Sequence, residues 1–599
     1  MSDQNDPFRG GLAGQKRLIL AIALSVAILV VFQFVLPHPP RPAPVPVETA
    51  QTTTTAAPAA TGESSTAAPA TGMVGNAPVA APREAPRLRI EGPRVSGSLS
   101  LLGARLDDLV LANYRETIEP GSPLVRLLQP IGQGKEPSYL QAGWTAEGGV
   151  KTPDNTTLWA ASAPVLAPGK PVTLHWDNGA GVVFEIGLTL DENYMFGVTQ
   201  TVRNTTDAAI AVKPWGLVRR DYTPHTDGYS VLHEGLIGWV DQREHDVTYS
   251  SAKSDGEKQQ GTAFTGTGSG GWAGFTDKYW LAALIPDQTA RTVSSFRYIA
   301  SGPGVPAGGA YQADTMAAEA IAVAPQATAS VSSRAFVGAK EVRLLNKYQD
   351  EGNISHLSYA VDWGWFWFIT KPFFLAIDWF NGQLGNFGLA ILAFTICVKG
   401  VFFPLANYSY RSMSKMKLLG PKMAAIKEQY KDDNQKQQME IMKLYKAEKV
   451  NPASGCLPMV IQIPVFFSLY KVIFITIEMR HAPFYGWIQD LSAIDPTNVF
   501  NAFGLIPFDP TIITPWLHLG LWPLIMGVTM FFQQKMNPAP PVPVQARLFQ
   551  FMPIIFTFML ARFPAGLVIY WSWNNTLTIA QQWLIMRQTR LSRPGLART

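Results

Sequence analysis

Cysteine is nearly absent from this chain of 599 residues: Cys397 and Cys456 are the only two, and both lie in the C-terminal half. The long region before them owes nothing to disulfides, even in an oxidising compartment. Histidine is scarce and scattered, with eight in all, and no Cys/His cluster has metal-ligand spacing. "HEGLIGW" at 233–239 has no second histidine four residues after the first. "GQGKEP" at 132–137 lacks both the spacing of a Walker A loop and its hydroxyl residue. No G-x-S-x-G elbow occurs either. These absences argue against a metallohydrolase, a nucleotide-driven machine and a serine esterase, so neither an enzyme nor a cofactor is expected. The net charge of +5 is too small to suggest nucleic acid by itself.

What the chain does contain is segregated hydrophobicity. An apolar run from Leu18 to Leu36 follows Lys16 and Arg17 and ends in "LPHPPRPAP". It is longer than a usual signal-peptide core and has no clear cleavage site, so it reads as a transmembrane signal anchor behind a cytoplasmic segment 1–17. Residues 37–86, rich in Pro, Ala and Thr, cannot build a core and read as a disordered linker. From 87 to 338 the pattern is β. In "VVFEIGLTLDENYMFGVTQTV", Phe184, Ile186, Leu188 and Leu190 alternate with small or polar residues, "DEN" turns, and Tyr194, Phe196 and Val198 alternate again. Such strands with Gly-rich loops predict a large β-sandwich, placed by the anchor outside the inner membrane. Residues 339–383, with "WGWFWFITKPFFLAIDWF", combine dense aromatics with Lys371 and Asp378 and predict an interfacial amphipathic helix region.

The remainder, 384–590, predicts a polytopic α-helical core of five spans: 387–406, 457–477, 515–533, 548–562 and 566–586. Segment 407–450 holds ten Lys/Arg and the tail adds Arg587, Arg590, Arg593 and Arg598, whereas loop 479–514 has only Arg480. This bias puts both termini in the cytoplasm, the tail 591–599 included. Met416, Leu419, Met423, Ile426 and Tyr430 make a helical seam before "KDDN". A second helix carries Ile441, Leu444 and Tyr445, so 407–450 predicts a cytoplasmic helical hairpin. Met413, Met416, Met423, Met439 and Met442 give it soft contacts that either pack the hairpin or bind a partner. Its basic excess suits anionic lipid.

One charge stands out. Lys399 lies within the apolar "LAILAFTICVKGVFFPLANYS", where a lysine near mid-helix costs roughly 2.5–3.5 kcal/mol. Snorkelling to the nearer, cytoplasmic interface works against the N-terminal lean of helical side chains, and the span has no acidic partner. Lys471 shares the problem, but Glu478 two turns on could meet it, and Arg562 reads as an anchor at a span's end. Trp571, Asn575, Thr578 and Gln582 share one helix face, with Tyr570, Asn574 and Gln581 alongside. Span 457–477 offers Gln462 and Ser468, and Thr395 sits one turn before Lys399. Such polarity needs protein or water, as interhelical hydrogen bonds or as a shared hydrated groove.

"KMKLLGPKMAAIKEQYKDDNQKQQMEIMKLYKAEKVNPASGCLPMVIQIPVF", "FYGWIQDLSAIDP", "MGVTMFFQQKMNP" and "FMPIIFTFMLARFPAGLVIYW" resemble the YidC membrane protein insertase family over about 384–590. "GWAGFTDKYWLAALIP" at 271–286 extends the likeness into the β region, which resembles the large periplasmic domain of Gram-negative members. The resemblance implies an insertase and chaperone that takes nascent membrane proteins, alone or beside the Sec translocon, without nucleotide. Ribosome or targeting factors would meet the hairpin and basic tail. It also implies a hydrophilic groove whose positive charge maps onto Lys399, where many members have Arg. Thr395, Tyr570 and Trp571 match positions the family places around that groove. The alternatives left open are an anion-binding transporter or channel, and a structural assembly factor of the Sec complex.

Overall fold

The computed structural model describes residues 85–226, 232–302, 305–431, 433–448, 450–451, 457–537 and 543–591. The signal anchor, nearly all of the linker, Cys456 and the tail from 592 lie outside these residues.

Two β-sheets pack face to face between Arg87 and Ala339, one of eleven strands and one of nine. The alternation anticipated at 184–198 becomes the centre of the smaller sheet. Strands Val182–Leu190 and Met195–Asn204 pair antiparallel with Phe196 opposite Leu190 and Val202 opposite Phe184. The turn between them is set by Asp191, whose carboxylate accepts the N–H groups of Asn193 and Met195. Phe184, Ile186 and Phe196 point into the space between the sheets and are almost completely buried. Burial of each such side chain is worth about 1.5–3 kcal/mol, enough to fix register without disulfides. A ten-residue helix, α1 (Tyr249–Lys258), covers one end, capped by Thr248.

After the last strand the chain turns helical: α2 (Val342–Asp350), then α3 (Trp367–Leu384). The two charges that interrupt the aromatic run of α3 face inward. Asp378 pairs with Arg343 at 2.6 Å, and Lys371 donates to Asn346 and Ser358. Phe374 and Ile377 are buried, while Trp365, Trp367, Phe368 and Trp379 are exposed. The aromatics thus form a bare outer face beside a charged inner one.

The helical core follows as α4 (Phe387–Val401) and α5 (Phe403–Leu418), then α6 (Gly420–Gln429), α7 (Asn434–Ala447) and α8 (Leu457–Ile475), and finally α9 (Leu521–Met536), α10 (Pro543–Leu560) and α11 (Ala565–Leu591). Several boundaries differ from the sequence expectation. The span drawn as 387–406 breaks at Phe402, and α4 and α5 meet at a bend of 67°. Pro404 explains this: it has no N–H to donate to Gly400 O and its ring clashes with that carbonyl, whereas the first turn of a new helix tolerates proline. Residues 515–517 are a short 3-10 turn, so the span drawn from 515 starts at Leu521. Among the described residues no single helix is both long and apolar enough to cross a membrane, although the bent pair α4–α5 is when taken together. Two physical reasons emerge. The 16 residues of α9 reach only about 24 Å. The 27 residues of α11 are long enough, but they carry the polar stripe.

The hairpin, Leu418–Val450, belongs to a different compact unit from the rest of the helical core. Its arms are α6 and α7, joined through Lys422–Glu448 at 2.8 Å and by the Tyr445 hydroxyl donating to Met423 Sδ. Asp433 caps α7 by accepting the N–H groups of Gln435 and Lys436. The hairpin is therefore shorter than 407–450, because residues up to 418 belong to α5.

Candidate functional site

Lys399 does not sit at mid-helix. The break at Phe402 puts it in the last turn of α4, where the aligned peptide dipoles favour a cation. Its ammonium donates to Thr578 Oγ1 at 2.8 Å. The Thr578 hydroxyl in turn donates to Asn574 O at 2.7 Å, which leaves its lone pairs aimed at the lysine. Tyr410 of α5 lies close to the same hydroxyl. Among the described residues no carboxylate pairs with Lys399. A half-buried cation is thus held by one neutral hydroxyl of α11, its charge uncompensated among the described residues.

The other residues of the predicted groove divide into two groups. Gln462 of α8 donates to the Tyr570 hydroxyl of α11, and Trp571 packs edge-on against Phe466 and tilted against Phe556. These line the side of α11 that faces α8 and α10. Asn575 and Gln582 instead tie α11 to α9. Asn575 donates to Thr529 Oγ1 at 3.2 Å, and Gln582 donates to Met536 O and Asn537 Oδ1. The stripe of four thus mixes both readings: Thr578 serves the lysine, while Asn575 and Gln582 make ordinary interhelical bonds. Thr395 is buried and donates to Ile391 O of its own helix at 2.6 Å, so it lines the helix without touching Lys399. Ser468 Oγ, Asn407 Oδ1, Gln581 Nε2 and Gln582 Oε1 are buried with no protein partner among the described residues, the mark of a polar interior.

The methionines also separate. Met413 and Met416 lie on α5, packed with Tyr410 against Ile585. Met423 is engaged by Tyr445 inside the hairpin. Met439 and Met442 alone of the five are exposed, at 52% and 49%.

Lys471 has a different role from Lys399. It pairs with Asp362 at 2.8 Å and donates to Asp362 O, while that carboxylate accepts the His233 N–H. Glu478, which the sequence suggested as its partner, instead accepts the Val342 N–H at the start of α2. Arg562 lies over the Trp516 ring at 4.0 Å. Sequence reasoning missed Tyr410 and Asp362. Tyr410 comes into reach only through the bend after α4, which Gly400 and Pro404 could have signalled. Asp362 comes from a loop more than 100 residues away, and no local pattern marks it.

Residues 87–376 match the family described as YidC periplasmic domain, and residues 379–592 match that described as 60Kd inner membrane protein. The chain belongs to the YidC family of membrane protein insertases. A relative from Granulibacter bethesdensis bearing that family name is 60% identical over 518 residues, 86% of this chain and 89% of its own. One from Acidiphilium cryptum is 53% identical over 84% of this chain and 85% of its own. A crystal structure of an active YidC insertase with its first transmembrane domain resolved is similar over 83% of this chain and 92% of that one, at 18% identity and a TM-score of 0.33. The family places the chain in the bacterial inner membrane and makes its β-sandwich a periplasmic domain. Lys471–Asp362 and Glu478–Val342 tie the C-terminal end of α8 to the segment that follows this domain.

Proposed function

We propose that this chain inserts membrane proteins by drawing the polar tail of an incoming chain toward Lys399 and releasing its apolar helix into lipid. The observation that carries this reading is the unpaired ammonium of Lys399, held by Thr578 among groups that only solvate it. A carboxylate arriving there replaces no existing ion pair, so the full attraction is available to it. Lys399 gives a point charge without the fork of arginine, which suits varied tails better than one fixed geometry.

The driving force is the incoming helix. Each strongly apolar residue gains about 0.3–0.6 kcal/mol, so twenty residues gain up to roughly 6–12 kcal/mol. A membrane potential adds about 2.3 kcal/mol per negative charge per 100 mV. That suffices for a short tail without nucleotide. Long or highly charged domains exceed it, and for those the chain works beside the Sec translocon. Both termini and the hairpin face the cytoplasm. There the exposed Met439 and Met442 receive nascent chains or targeting factors, the basic tail meets the ribosome, and the lysines of the hairpin hold to anionic lipid.

Reconstitution into nucleotide-free liposomes tests the reading. A small single-span protein should insert with this protein present and fail without it. Equal insertion in both cases would sink the proposal.

A further inference from the structure

The loop after α8 has a construction that neither the groove nor the periplasmic domain explains. Its neck is a polar collar. Asp495, 1% exposed, accepts the indole N–H of Trp487 at 3.1 Å and the backbone N–H of Trp522 at 2.9 Å. His518 bonds to Asp495 O, Asn498 donates to Leu517 O, and the Val499 N–H donates to Leu519 O. Gly520 is obligatory there, because a Cβ would lie 2.6 Å from the Asp495 carboxyl carbon. Beyond the collar, residues 499–516 carry one charge, Asp509, and no lysine or arginine. Their large apolar side chains point outward: Leu505 is 86% exposed, Ile512 79% and Ile513 70%, with Phe503 and Trp516 at half or more. A polar neck that fixes a bare apolar tip is the reverse of a solvent-facing loop.

We infer that the tip, residues 500–516, is seated in the acyl region of the periplasmic leaflet. Three observations select lipid as the occupant. The loop leaves α8 at its C-terminal end, which Lys471 and Glu478 tie to the segment that follows the periplasmic domain. The Trp516 ring lies under Arg562, just past the end of α10, the aromatic–cation pairing of a membrane interface. The exposed apolar faces of α9 and α10, among them Phe532 and Ile554, give the core a lipid-facing surface of the same character. The lack of basic residues at the tip suits acyl chains rather than anionic headgroups or an acidic partner. Seated this way, the loop sets the depth of the short helix α9 from its periplasmic end.

The test uses the full chain with Cys397 and Cys456 replaced by serine, reconstituted into phosphatidylcholine–phosphatidylglycerol liposomes. An environment-sensitive fluorophore is attached through Leu505→Cys, Ile512→Cys or, as an aqueous reference, Glu257→Cys on α1. Lipids brominated on the acyl chain should quench the labels at 505 and 512 at least about twofold more than the label at 257. Iodide should do the reverse. Iodide quenching at 505 and 512 equal to that at 257, without quenching by brominated lipid, would overturn the inference. Shielding of those labels only after a partner protein is added would also overturn it, by making the tip a protein-docking surface. Insertion activity of the labelled chains provides the check that they are folded.

Discussion

Replacing Lys399 with alanine removes the cation on which the proposed insertion site rests while leaving the hydroxyl that holds it. Thr578 still satisfies its own hydroxyl through Asn574 O, so the helices should stay packed. The loss falls on the incoming tail. A carboxylate about 4 Å from the ammonium at an effective dielectric near 20 gains about 4 kcal/mol. The charge-assisted hydrogen bond that survives desolvation is worth about 1.5–3 kcal/mol. Insertion of a substrate whose tail carries one aspartate should therefore fall roughly ten- to hundred-fold, at about 1.4 kcal/mol per decade. A neutral-tailed substrate should be nearly unaffected, and Lys399→Arg should restore most of the loss. The assay is protease protection of the translocated tail in nucleotide-free proteoliposomes, with zero, one or two aspartates in an otherwise fixed tail. Equal losses for acidic and neutral tails would make Lys399 a structural residue and refute the electrostatic argument. Unchanged insertion of the acidic series would refute it more directly.

Further outcomes follow from other contacts. Thr578→Val removes the acceptor at 2.8 Å. It should cost less than Lys399→Ala, and the double variant should lose less than the sum of the two in the same assay. Asp362→Asn strips Lys471 of its ionic partner and should destabilise the junction of β-domain and core by about 3–5 kcal/mol, read as a lower thermal midpoint and faster proteolysis between 340 and 365. Glu478 is half-buried with its carboxylate turned inward, and that burial, opposed by its backbone hydrogen bonds, pushes its carboxyl up to about 7. The folded chain then holds a proton that the unfolded chain has lost between about pH 4.5 and pH 7, so stability should fall as pH rises through that window. Glu478→Gln should flatten that dependence and raise stability at pH 7.5 by up to about 3 kcal/mol, with no gain at pH 4. An unchanged melting profile across pH would refute it.

The β-domain was legible because a two-residue period survives any detail of tertiary packing. The hairpin centred on "DEN" needed only local alternation and an aspartate able to bond its own turn. The helical core was legible in kind but not at its ends. Hydropathy averages over a window, so it ran a helix through Phe402 despite Pro404 and began α9 six residues early. The polar stripe showed which helix face is special, but not which neighbour each side chain meets. Asn575 and Gln582 reach α9, while Thr578 reaches α4, and that choice depends on how three helices pack. Lys471 was the clearest failure. Its partner lies in a loop beyond the β-domain, so proximity in sequence favoured Glu478, which serves the backbone of α2.

The two anchors at the C-terminal end of α8 also carry a mechanical consequence. A rod pinned at one end can only swing at the other. Lys471 is fixed to Asp362 and Glu478 to the start of α2, so the C-terminal end of α8 is tied to the segment that follows the β-domain. Gln462 is nine residues from Lys471, about 13 Å along the axis, and a swing of about 10° would carry it about 2 Å. That displacement is enough to part Gln462 from the Tyr570 hydroxyl. A swing of that size would also have to part Phe466 from the Trp571 ring, so the hydrogen bond and the ring contact together hold α8 against α11.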